Sequence, residues 1–101
     1  MWVIALFNLP TDTKRQRQAY ARFRKELLRD GFGMMQYSVY RRHCSSYENA
    51  QVHIKRMRCQ VPSEGDVRFL VITDKQFARM EIFWGVAQKK SPPAPVQVEL
   101  F

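Results

Sequence analysis

Two apolar runs, one near the start of the chain and one in its last third, stand out in the pattern of hydrophobic and polar positions. Residues 2–7 (WVIALF) lack a helical period and are followed closely by Pro10, which predicts a buried strand. Residues 67–73 (VRFLVIT) form a nearly continuous apolar run of the kind found in central strands.

The segment after Pro10 has the signals of an amphipathic helix. Thr13 is a favourable N-cap, Gln16 completes a capping box, and Gly31 is typical of the residue beyond a helix C-terminus. The helix is therefore predicted to end at Asp30, with one apolar and one basic face. The apolar face comprises Ala19, Tyr20, Phe23 and Leu27, and the basic face comprises Arg15, Arg22, Lys25 and Arg29.

A strand region and a second helix are predicted before Pro62. Aromatic and β-branched residues recur over 32–43, which predicts one strand or a tight strand pair. Ser45 and Glu48 have the spacing of a second capping box. In the helix that follows, apolar residues at steps of three and four form one seam. The seam comprises Tyr47, Ala50, Ile54, Met57 and Val61, and the residues predicted to face away are His53, Lys55, Arg56 and Arg58.

Two segments near the end of the chain alternate between apolar and polar residues, and a proline-rich segment separates them. Residues 77–84 (FARMEIFW) predict a strand, 89–95 (KKSPPAP) an extended linker, and 96–101 (VQVELF) a strand that must join a sheet edge. The order of elements predicts an α+β sandwich, with two helices on one face of an antiparallel sheet and an extra C-terminal strand. A ferredoxin-like domain over 1–88, followed by a linker and strand over 89–101, is the simplest match.

Charge adds a binding surface to this fold. The chain of 101 residues has a formal net charge of +8. Residues 12–58 contain twelve Lys or Arg against four acidic residues, whereas residues 59–101 contain five of each. This asymmetry favours a polyanionic partner, nucleic acid first and an anionic membrane surface second. Lys14, Arg15 and Arg17 crowd a helix N-terminus, where the dipole disfavours cations unless an anion is near.

Cysteine and aromatic residues add little further chemistry. Cys44 and Cys59 are expected to be reduced thiols of a cytoplasmic protein, because no signal peptide is evident. Together with His43 and His53 they lack the spacing of zinc ligands. Three tyrosines are candidate platforms for base stacking, but their spacing favours core and sheet packing. They are Tyr20, Tyr37 and Tyr40.

Three motifs carry a resemblance to a known family. In order and spacing, FNLPTDT, GFGMMQYSVYRR and FLVITDKQF resemble the second CRISPR-associated protein, the small non-integrase subunit of the spacer-acquisition complex. The resemblance extends from Trp2 to about Phe83 and is most similar to members from type II loci, which have a single large effector nuclease.

The resemblance implies a homodimer that bridges two integrase dimers and holds a short duplex of foreign DNA. It places the C-terminal strand on the partner's sheet, which would make Val96, Val98 and Leu100 interface residues. It implies that a set of basic residues contacts the phosphate backbone of the DNA. Contacts to phosphates suit a subunit that must accept DNA of any sequence. These residues are Lys14, Arg15 and Arg17, followed by Arg22, Arg41 and Arg42.

Asn8 departs from the pattern of the family. There the first strand usually ends in an aspartate proposed to bind Mg²⁺ at the dimer axis, where it would support phosphodiester cleavage. An amide brings no negative charge, so Asn8 predicts weak Mg²⁺ binding and doubtful nuclease activity, and Asp12 and Asp74 are the candidates for partial substitution. A local role, hydrogen bonding to the following turn, is favoured for Asn8. The leading function is the DNA scaffold; the alternatives are a metal-dependent endonuclease and a toxin-like ribonuclease of similar fold.

Overall fold

The structure, a computed structural model, describes residues 1–85. The element order is β1 (Trp2–Asn8), α1 (Lys14–Arg29), β2 (Gly33–Gln36), β3 (Val39–His43), α2 (Tyr47–Arg58), β4 (Asp66–Ile72) and α3 (Asp74–Ala78). The strands form one antiparallel sheet in the order β2-β3-β1-β4. This is the predicted ferredoxin-like α+β arrangement. The linker and strand predicted over 89–101, with Val96, Val98 and Leu100, lie outside the described residues.

The core lies between one face of the sheet and the two long helices. Alternate residues of β1 point into it, and Val3 and Ala5 are fully buried. From α1, Phe23 and Leu27 pack against this face, as the apolar stripe predicts. Thr13 and Gln16 form the predicted capping box, which fixes the start of α1. From α2, Ala50 and Met57 complete the core.

The region over 32–43 is a hairpin, the second of the two predicted alternatives. Its strands are joined at Tyr37 and Ser38, and Ser38 has a positive φ of 68°. The Phe7 N–H donates to the Ser38 carbonyl at 3.1 Å, which ties the turn to the sheet. Tyr37 itself is 75% exposed, so the prediction that it packs in the core is wrong.

The predicted strand over 77–84 is wrong. The chain forms α3 instead, and residues 80–85 are in neither helix nor strand. Thr73 caps α3 through the Gln76 N–H, and Gln76 completes a capping box with the spacing of Thr13 and Gln16. This helix start overrides the alternation of apolar residues that follows. The stacking of Phe77 on Trp2, with ring centroids 4.0 Å apart, holds α3 against the start of β1.

The start of α2 also differs from the prediction. Its N-cap is Ser46, whose hydroxyl accepts from the Asn49 N–H at 3.0 Å, so the capping box of Ser45 and Glu48 does not form. Ser45 instead donates its N–H to the Asn49 side chain at 3.3 Å. The helix ends at Arg58, and Tyr47, predicted to lie in the apolar seam, is 53% exposed.

His53 does not face away from the core. Its side chain is buried, and Nδ1 lies 2.8 Å from Oδ2 of Asp30, a carboxylate that is only 5% exposed. Arg56 donates to the other carboxylate oxygen at 2.6 Å. The Asp30 carbonyl accepts from Nε of Arg42 at 2.6 Å. One residue at the end of α1 therefore ties this helix to both α2 and β3.

Candidate nucleic-acid interface

Three of the predicted DNA-binding residues line one groove. Lys14, Arg15 and Arg22 lie along α1, opposite Pro62 and Ser63 of the loop between α2 and β4. Within the described residues, none of the three has an ion pair or a side-chain hydrogen bond. Gln18 and Ala19 complete the lining, which contains no acidic residue. Arg15 and Arg22 are two helical turns apart, about 10 Å along the axis.

Arg17 is turned away from this groove. Its guanidinium donates to the backbone carbonyls of Thr11 and Asp12, each at 3.1 Å, and so closes the loop between β1 and α1. Its positive charge still adds to the local field, but its Nη1 makes both of these bonds inside the protein.

Arg42 also has structural partners. Besides its bond to the Asp30 carbonyl, its Nη1 donates to the His43 carbonyl at 2.7 Å. Gly31 lies against it, since a Cβ at Gly31 would approach Nε of Arg42 to 3.2 Å. The half-buried guanidinium thus satisfies the carbonyl of Asp30, the C-cap residue of α1, a role for which a cation is well suited.

Arg41 lies on the opposite face of the sheet from Arg42. It pairs with Ile4 across the β1–β3 ladder, and residues directly opposite in such a ladder place their side chains on the same face. This is the face that α1 and α2 leave uncovered, and we call it the open face. Arg41 lines a depression there with Phe77 and several residues over 80–85. The six predicted DNA-binding residues therefore do not form one surface.

Asn8 points from the end of β1 towards the open face, where its partner in the ladder is Asp66 of β4. Both residues line a shallow depression with Arg68, and Nε of Arg68 donates to Oδ1 of Asp66 at 3.3 Å. The loop approaches closely here: Gly65 has a φ of +86°, and a Cβ on it would lie 2.6 Å from the Asn8 carbonyl oxygen. Asp66 is not predicted from the sequence as a neighbour of Asn8, because only the pairing of β1 with β4 brings the two residues together.

Asp74 cannot substitute for an aspartate at position 8. It lies at the other end of β1, where it accepts from the Met1 ammonium group at 2.7 Å and lies 3.2 Å from Nε2 of His43. The six-residue separation along β1 corresponds to about 20 Å. The hydrogen bond from the ammonium group lowers the pKa of Asp74, and His43 adds to this effect. Asp12 lies in the loop after β1, and its carboxylate has no hydrogen bond or ion pair within the described residues.

Other candidate chemistry is sparse in the part of the chain that the structure describes. No group of three or more His, Cys, Asp or Glu residues in residues 1–85 has the proximity to hold a metal ion. Cys44 is buried and Cys59 is exposed, and both are free thiols. No helix over these residues is long and apolar enough to cross a membrane.

Comparison with known proteins agrees with this architecture. The crystal structure of Streptococcus pyogenes Cas2 superposes with a TM-score of 0.61, covers 81% of this chain and 98% of its own, and is 24% identical in sequence. The chain therefore has the ferredoxin-like fold of that protein. The family model for CRISPR-associated protein Cas2 matches residues 1–80.

Two relatives extend the match to the whole chain. A protein of Parvibaculum lavamentivorans is 60% identical over all of both chains, and one of Flavobacterium psychrophilum is 46% identical over all of this chain and 88% of its own. Both are named CRISPR-associated endoribonuclease Cas2. The chain thus belongs to the CRISPR-associated Cas2 family, as the three sequence motifs predict.

Proposed function

We propose that this protein is a scaffold of CRISPR spacer acquisition, a cytoplasmic homodimer that bridges integrase dimers and holds duplex DNA by its phosphates. The groove of Lys14, Arg15 and Arg22 is the observation that supports this proposal most directly. Lys14 and Arg15 lie about two helical turns, or about 10 Å, along α1 from Arg22. Within residues 1–85 none of the three has an ion pair or a side-chain hydrogen bond, and the groove lining contains no acidic residue. Such a row of cations suits phosphates of any sequence.

The open face supports the dimer. Leu6 is 37% exposed and Leu70 is 53% exposed on the face that α1 and α2 leave uncovered. A second copy of the chain would remove these side chains from water, and burial of apolar surface drives association. The predicted strand at Val96, Val98 and Leu100 would extend that interface.

An endonuclease is the second candidate, because relatives of this chain are named endoribonucleases. The geometry at Asn8 does not favour it. A Mg²⁺ site requires several oxygen ligands, usually including carboxylates. Here one chain offers a neutral amide and the carboxylate of Asp66, which already binds the guanidinium of Arg68. The residues around Asn8 therefore do not fit a Mg²⁺ site, and we derive no cleavage step from them.

The experiment that separates the two candidates uses the full chain with two duplex DNAs of unrelated sequence and one single-stranded RNA. Each is incubated with Mg²⁺ or with a chelator, and binding and cleavage are measured together. A scaffold binds both duplexes with equal affinity and leaves every substrate intact. Cleavage that requires Mg²⁺, or a strong preference between the duplexes, would contradict the proposal.

The bridging role has its own test. We expect the gene for this protein to lie beside an integrase gene in a locus with a single effector nuclease. Co-expression of the two proteins should yield a complex that survives size-exclusion chromatography. Integrase that elutes alone, while this protein still binds duplex DNA, would contradict bridging and leave DNA binding standing.

A further inference from the structure

The Tyr37 ring is highly exposed and is nevertheless held in one place. It lies at the tip of the β2–β3 turn, and its exposed fraction of 75% is the largest among the exposed large hydrophobic residues of the described chain. The ring stacks on Tyr20 of α1, with centroids 5.6 Å apart and planes inclined by 19°. One face of the Tyr37 ring is thus covered by Tyr20, and the opposite face of the ring is exposed to solvent.

The support beneath Tyr37 is itself fixed. The Tyr20 hydroxyl lies 3.1 Å from Oγ of Ser38, so α1 is joined to the same turn that carries Tyr37. The Tyr20 ring packs against Phe7 in the core, with ring centroids 5.9 Å apart. Burial raises the pKa of Tyr20, in agreement with its position between the core and the turn. The two tyrosines therefore form a stack that begins at the core and ends in the exposed ring of Tyr37.

Positive charge lies beside this stack. Arg17 precedes Tyr20 by three residues and Arg24 follows it by four, and residues at these spacings are neighbours on a helix surface. Arg17 is bound to backbone carbonyls, whereas Arg24 is exposed and has no ion pair or side-chain hydrogen bond within residues 1–85. Arg68 lines the same depression as Tyr37, but its charge is paired with Asp66, so Arg24 is the cation available to a ligand of Tyr37.

We propose that Tyr37 is a stacking platform for an unpaired base of single-stranded nucleic acid, with Arg24 at the adjacent phosphate. An open aromatic face accepts any base, and a cation nearby neutralises the backbone that carries it. Bases inside a duplex are stacked on one another and do not reach such a ring. This site is therefore distinct from the α1 groove, and it goes beyond the proposed scaffold, which uses only phosphates.

The test uses a short single-stranded oligodeoxynucleotide that contains 2-aminopurine, whose fluorescence falls when the base stacks. Binding to the wild-type full chain should quench it. The Tyr37→Ala variant should bind about 5- to 150-fold more weakly, the fold-change for loss of one stacked base, and should lose the quenching. Tyr37→Phe, which keeps the ring, should retain both.

Tyr47→Ala is the matched control. Tyr47 is 53% exposed at the start of α2 and has no ring contact within the described residues. It should bind like wild type. Equal affinity and quenching in Tyr37→Ala and Tyr47→Ala would overturn the proposal. Affinity for blunt duplex DNA, measured in parallel, should be unchanged in Tyr37→Ala, so a failure of this site is distinguished from a failure of the scaffold.

Discussion

Asn8 lies directly opposite Asp66 in the β1–β4 ladder, and both side chains share the open face of the sheet. An aspartate at position 8 would place two carboxylates across one strand pair, beside a single guanidinium from Arg68. With asparagine there, Asp66 and Arg68 balance each other without a metal ion. The neutral amide of Asn8 therefore avoids repulsion with Asp66, a role that depends on the pairing of β1 with β4.

Replacement of Asn8 by aspartate should make the protein sensitive to Mg²⁺. Like charges directly opposite in a ladder destabilise it by about 0.2–1 kcal/mol, and a divalent cation would relieve that repulsion. Thermal unfolding should therefore show that Mg²⁺ raises the melting temperature of Asn8→Asp relative to chelator, and leaves wild type unchanged. In the double variant Asn8→Asp/Asp66→Asn the response to Mg²⁺ should disappear. Equal responses in wild type and Asn8→Asp would contradict the account of this position.

Loss of the Asp30 carboxylate should destabilise the fold. Asp30→Ala removes the partner of the buried His53 and of Arg56. Hydrogen bonds to charged groups are worth about 1.5–3 kcal/mol, so urea unfolding should show a loss of that size. Glu81→Ala, which changes an exposed acid without an ion pair in the described chain, is the control and should stay within about 0.5 kcal/mol. A loss no larger than that of the control would contradict the tie between helices.

Arg42 should contribute to the stability of the fold, whereas Arg22 should contribute to the binding of duplex DNA. Arg42 donates to two backbone carbonyls, so Arg42→Ala should lower the free energy of unfolding by about 1.5–3 kcal/mol and leave duplex affinity unchanged. Arg22→Ala, at an exposed position in the groove, should weaken duplex binding and leave stability nearly unchanged. Urea unfolding and duplex titration of both variants measure this. The reverse pattern would show that the groove is misplaced.

Asp74 should contribute to stability in a pH-dependent manner. Its pKa is lowered in the folded protein by the Met1 ammonium group, so the folded state binds fewer protons here than the unfolded state. The contribution is therefore complete above the unfolded pKa of about 3.9 and is lost as the pH falls through the lower folded pKa. Asp74→Asn should melt at a lower temperature than wild type at neutral pH, with the difference shrinking in strong acid. A difference that grows in acid would contradict this assignment.

The sequence correctly predicts those elements in which the apolar pattern and the capping residues indicate the same structure. The apolar run of β1 and the capping box of α1 are examples, and both are confirmed. For α3, the alternation of apolar residues over 77–84 predicts a strand, whereas the structure forms a capping box of Thr73 and Gln76 that starts a helix. The prediction that His53 faces away from the core is wrong: it lies three residues after Ala50 and four before Met57, which is the spacing of a buried stripe.

The candidate site was harder to predict than the fold. Basic residues were recognisable from composition, but their division between the groove, the backbone carbonyls and the open face depends on tertiary contacts. Arg41 and Arg42 are adjacent in sequence and lie on opposite faces, because side chains alternate along a strand. Asp66 was not recognised beside Asn8, because the strand register brings these distant residues together.

The salt dependence of duplex binding tests the central claim most directly. The triple variant Lys14→Ala/Arg15→Ala/Arg22→Ala is compared with Lys55→Ala/Arg58→Ala/Lys75→Ala, which loses the same charge at exposed positions outside the groove. Each lost phosphate contact lowers the slope of log affinity against log salt by about 0.9, so the groove variant should lose about 2.7 and the control should keep the wild-type slope. Equal slopes in the two variants would contradict a phosphate-binding groove on α1.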